Sequence, residues 1–82
     1  MTREECVEAS GEEELLFADG YDEAIIGVGQ RFNETFVVYD KRKVLAVLMR
    51  DGMTLEEAEE FFDFNIIGAY VGNRTPAFVW TA

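Results

Sequence analysis

Asp51-Gly52-Met53-Thr54-Leu55-Glu56-Glu57-Ala58-Glu59-Glu60-Phe61-Phe62 is the stretch on which the fold turns. Asp51-Gly52 reads as a helix stop, because glycine takes the left-handed conformation of a C-cap without a Cβ clash. Thr54 opens the next helix. Its hydroxyl can accept from the Glu57 N–H while the Glu57 carboxylate accepts from the Thr54 N–H, a reciprocal capping box. Glutamates in the first turn also suit the positive end of the helix dipole. At helical spacing Leu55, Ala58, Phe62, Ile66 and Ala69 share one face, with Glu56, Glu60 and Asp63 well off it. A second apolar set, Phe61, Phe64, Ile67 and Val71, points elsewhere, and Asp63 is the one charge between Phe61 and Val71. The pattern predicts a helix to about Tyr70, buried on two sides and stopped by Gly72. The alternative is a break near Asn65 or Gly68, with extended chain beyond.

Upstream, Asp40 is a good N-cap, and Val44, Leu45, Leu48 and Met49 follow at helical spacing. This predicts a helix over residues 41–50, with a buried strand at 44–49 as the alternative. Lys41-Arg42-Lys43 in the first turn opposes the helix dipole and counts against the helix. The run before it reads as a hairpin. Residues 24–32 are β-branched in the middle, with Gly27 and Gly29 suggesting a bulge or close packing. Asn33-Glu34 is the expected turn, and residues 35–39 are the returning strand. Leu15-Leu16-Phe17-Ala18 reads as a short strand closed by the turn residues at 19–22. Residues 1–14 form an acidic segment, either a short helix capped by Thr2 and Glu5 or a frayed tail. Downstream, residues 72–76 are a loop and 77–81 a closing strand.

The expected architecture is therefore one α+β domain over residues 15–82, preceded by the acidic segment 1–14. It has a three-stranded antiparallel sheet with two consecutive helices packed on one face. At 82 residues, 49% of them hydrophobic, the aromatic side chains either fill one dense core or face a partner. No run approaches the roughly 20 apolar residues of a membrane span, and the acidic start is unlike a leader peptide, so a cytoplasmic location is expected. A single Cys6 agrees.

Charge and composition narrow the chemistry. The net charge is −10, and residues 1–23 hold nine acids against one base. Such a field repels phosphates and favours basic partners. There is no histidine, so the commonest general base and metal ligand is missing, and nothing pairs with a serine or Cys6 to activate it. Cys6 sits among acids, which raise a thiol's pKa. Neither an enzyme nor a bound cofactor is expected. Asp19, Asp22 and Glu23 are a weak candidate for a divalent cation, without the spacing of an EF-hand. Gly27-Val28-Gly29 lacks the third glycine of a dinucleotide loop, since Phe32 stands in its place. Lys41-Arg42-Lys43 is read as a solvated helix start. The surplus apolar residues Phe61, Phe64, Ile67, Val71 and Trp80, with Glu56 and Glu60 beside them, are the candidate interaction residues.

The segments Ala18-Asp19-Gly20-Tyr21, Ile25-Ile26-Gly27-Val28, Val38-Tyr39-Asp40 and GMTLEEAEEFFDFNIIGAYVGNRTPAFV, from Gly52 to Val79, resemble a group of small uncharacterised proteins of tailed bacteriophages. The likeness covers nearly everything from Ala18 onward, and residues 1–14 fall outside it. The resemblance implies a phage origin and work inside a bacterial cell. It lends no activity, so no residue inherits a role.

Three functions are consistent with these features. The first is a non-enzymatic accessory protein that binds a host or phage protein with a basic surface. In its specific form it is a mimic of DNA charge that inhibits a defence or transcription factor. The second is a small-ligand or metal-binding domain at Asp19, Asp22 and Glu23. The third is a structural homodimer joined through the second apolar set. Direct binding to nucleic acid or membrane is not expected.

Overall fold

The capping box at Thr54 forms as its residue types demand. In the computed structural model, which describes residues 1–69 and 71–81, Glu57 N donates to Thr54 Oγ1 at 3.2 Å and Thr54 N to Glu57 Oε1 at 2.9 Å. The same device repeats at the other end of the chain. Thr2 and Glu5 cap α1 (Arg3–Ser10), the helical alternative for this segment, and Cys6 is fully buried. The main elements then run β1 (Ile25–Arg31), β2 (Glu34–Asp40), α2 (Lys41–Arg50), α3 (Leu55–Phe61), a π-helical turn (Phe62–Ile66) and β3 (Ala77–Val79). This is an α+β fold with three helices and a three-stranded sheet.

β1 and β2 pair antiparallel, from Arg31 opposite Glu34 back to Ile25 opposite Tyr39, with a bulge between Ile25 and Gly27. The register leaves Phe32-Asn33 as the turn, one residue earlier than Asn33-Glu34. Gly29 is there for space, since a Cβ on it would lie 2.7 Å from the Phe36 ring. The third strand departs from expectation. β3 runs parallel to β2, Val38 opposite Ala77 and Asp40 opposite Val79, so the sheet is mixed. The connection is the reason. Two helices and a loop separate β2 from β3, long enough to carry the chain back and re-enter the sheet in the same direction.

α2 forms where expected, with Asp40 Oδ1 accepting from Arg42 N at 2.9 Å and Gly52 at φ +112° beyond its end. Val44, Leu45, Val47 and Leu48 are buried. Val44, Leu45 and Leu48 share one cluster with Val37 and Tyr39 of β2, Ile25 of β1, Cys6 of α1, and Ala58 and Phe62.

Four local expectations fail. Residues 15–18 form no strand, because the Ala18 N–H goes to the Tyr39 hydroxyl at 2.7 Å instead of to a ladder. α3 ends at Phe61, where the hydrogen bonding widens. Ile67 N donates to Phe62 O at 2.8 Å, five residues back, and regular helix does not resume. The expected helix end at Tyr70 lies outside the described residues. The buried stripe is also shorter than its spacing suggests. Ala58 and Phe62 are buried and Ile66 is half-buried, but Leu55 is 51% exposed and Ala69 is exposed. The closing strand stops at Val79, before Trp80.

Candidate functional site

The acidic cluster and the arginines find each other. Arg3 Nε lies 3.0 and 2.9 Å from the two Asp22 oxygens, and its Nη2 lies 3.0 Å from Asp19. Glu23 turns the other way, taking both Arg50 nitrogens at 3.0 and 2.7 Å. That hydrogen-bonded pair holds the Glu23 carboxyl below its ordinary pKa. Asp19 and Asp22 thus face α1 while Glu23 faces α2, and the three do not converge. Among the described residues no group of three acids or thiols is placed to hold a metal ion. Arg74 does the same elsewhere, 2.9 Å from Glu34 and 3.6 Å from Glu12. Three arginines therefore take up five carboxylates.

The basic cluster is used in a way that its sequence did not suggest. Lys41 Nζ sits 3.9 Å from the centre of the Trp80 ring and 4.8 Å from that of Phe62. Arg42 reaches the Thr81 carbonyl at 3.5 Å, and the Thr81 hydroxyl donates to the Asp40 carboxylate at 3.0 to 3.1 Å. Only Arg42 and Lys43 stay exposed, so the reading of all three as a solvated helix start is corrected for Lys41. The dipole penalty is offset by ring contacts and by anchoring residues 80–81.

The acids of α3 and its π-turn are among those left without an ion pair. Among the described residues Glu56, Glu59, Glu60 and Asp63 have no ion-pair partner. Phe62 points inward and meets Phe78 edge-on at 5.1 Å, while Phe78 stacks on Tyr39 at 5.4 Å. Phe64 points outward and is 79% exposed, and Ile67 is 50% exposed. Phe61 is between these, half-buried against the core. Met53, Glu57, Glu60, Phe61, Phe64 and Asn65 line one shallow groove along this face.

The predicted interaction residues are therefore only partly brought together. Glu60, Phe61 and Phe64 share the groove. Glu56 is exposed on the same helix but does not line it. Val71, 63% exposed, borders a different cleft of about 220 Å³ with Phe17, Tyr21, Ile66, Pro76 and Phe78. Trp80 belongs to the Lys41 contact. Sequence reasoning missed Phe32, which is 90% exposed at the hairpin tip with φ +56°. A two-residue loop at 32–33 would have found it, since such loops need positive φ. Cys6 offers no reactive thiol. Burial pushes its pKa up, ahead of the effect of nearby acids. Comparison with protein families, with curated proteins and with solved structures found no match.

Proposed function

We propose that this protein is a non-enzymatic accessory protein that binds a host or phage protein through a basic surface of that partner. The setting is an infected bacterial cell, as the phage resemblance implies. One observation carries the reading. The carboxylates left without ion-pair partners on α3 and its π-turn stand beside an exposed Phe64 and Ile67. Among the described residues, exposed acids without an ion pair also stand at Glu4, Glu8, Glu13, Glu14 and Asp51, but on α3 and its π-turn such acids lie beside exposed aromatic surface, so a partner meets charge and apolar surface together. Burying a phenylalanine contributes about 2–3 kcal/mol, enough to anchor an interface, while the charge sets orientation and association rate. In its specific form the protein competes with nucleic acid for a basic groove on a defence or transcription factor. The cation-binding alternative has less support, because Arg3 and Arg50 already occupy the carboxylates that it needs.

The test is capture of partners from bacterial lysate by the wild type and by Phe64→Asp, with circular dichroism as the folding check. A partner held by the wild type, lost by the folded variant and weakened in about 0.5 M salt, where exposed charges are screened, supports the reading. Equal capture by both proteins, unaffected by salt, would sink it.

A further inference from the structure

Resting on that protein-binding reading, we infer that the groove along α3 receives one long cationic side chain, lysine or arginine, from a basic amphipathic segment of the partner. The groove alternates two kinds of wall. Glu57 and Phe61 are four residues apart on the helix, as are Glu60 and Phe64, so each carboxylate neighbours a ring. Among the described residues no cation lines it. Glu57 already accepts from the Thr54 N–H, whereas Glu60 has no ion-pair partner among the described residues.

These walls select an occupant. A purely apolar group would cover the Glu60 carboxylate without pairing it, which is costly. A small, strongly hydrated cation would leave the exposed face of Phe64 in water. A lysine or arginine satisfies both, with its methylene stem across Phe61 and Phe64 and its charged head on Glu60. Aromatic faces also attract the cation directly. The chain already uses this contact within the same segment, where the Lys41 ammonium lies over Phe62 and Trp80. The residues flanking the inserted cation would include apolar ones, to cover Met53 and the rest of the Phe64 ring.

The probe is a synthetic helical peptide of leucine and lysine in amphipathic order, with an all-lysine peptide of equal length as comparison. Binding is followed by calorimetry and by amide chemical shifts of the 82-residue protein at physiological salt. The expected result is saturable binding of the leucine–lysine peptide, with shifts centred on residues 53–65. Phe64→Ala and Glu60→Gln should each weaken it about tenfold, or about 1.4 kcal/mol, and Phe32→Ala should leave it unchanged. Both sites are exposed, and shift dispersion reports that each variant remains folded. Equal binding of the two peptides, or binding unaltered in Phe64→Ala and Glu60→Gln, reduces the contact to unspecific charge and overturns the inference. Absence of binding also overturns it. If Phe64-dependent capture from lysate persists in that case, the protein-binding reading stands and only the cationic occupant is wrong. If that capture fails as well, both fall.

Discussion

Phe32 is the residue most at odds with its place. Its φ of +56° is a conformation in which an L side chain crowds its own backbone, and its ring is 90% exposed, so little packing compensates. The strain is about 1–2 kcal/mol, and glycine's extra unfolded-state entropy recovers at most about 1 kcal/mol of it. Phe32→Gly, which creates a favourable Gly-Asn turn, should therefore raise stability by up to about 1 kcal/mol, read from the urea midpoint. Cys6 makes the opposite case. It is wholly buried, and burial raises its thiol pKa, so little thiolate forms and reagents cannot reach it. Alkylation at pH 8 should be slow in the native protein and fast in denaturant. Rapid native labelling would show that α1 detaches readily from the core.

At the scale of elements, the caps decide where helices start. Removing the Thr54 hydroxyl leaves the Glu57 N–H without its partner, and Thr54→Ala should cost about 1 kcal/mol. The caps also bring pH dependence. Hydrogen bonds from the Thr2 and Thr54 backbones hold Glu5 and Glu57 below their ordinary pKa, and the Arg50 hydrogen bond does the same for Glu23. A depressed carboxylate adds stability that is fully present above its unfolded pKa, about 4.3 for glutamate. That stability is lost as pH falls through the lower folded value. Thermal melts should hold level above pH 5 and decline below about 4.3, and Glu57→Gln should flatten part of that decline. The Asp40 carboxylate joins two elements, since it caps α2 and accepts from Thr81. Asp40→Ala should destabilise by about 1–2 kcal/mol, more than a cap alone, and Thr81→Val should reproduce the smaller part.

For the whole molecule the governing quantity is the net charge of −10. Added salt weakens the Arg3 and Arg50 pairs, which are exposed and contribute little, and the Arg74 pairs, which are only partly buried. Screening of the general self-repulsion should win, so the melting temperature should rise between about 0.02 and 0.2 M sodium chloride. A fall would mean that the arginine pairs hold the structure together more strongly than their exposure suggests.

Sequence by itself determined whatever depends on a few adjacent residues. Thr54 with Glu57, Asp40 before α2, Gly52 after it and the hairpin itself, though its turn lies one residue earlier than read, are local, because each hydrogen bond closes within a short span of chain. Tertiary structure decided what depends on residues far apart. The direction of β3 follows from the path of the chain after β2, which no strand pattern records. The fate of Asp19, Asp22 and Glu23 was set by Arg3 and Arg50, distant in sequence and on different helices. Which aromatic of the 61–64 run is buried was settled by Phe78 and Lys41, which meet Phe62 and leave Phe64 to solvent. Hydrophobic periodicity states how many faces a helix offers the core, but only the neighbours that arrive determine which face is covered.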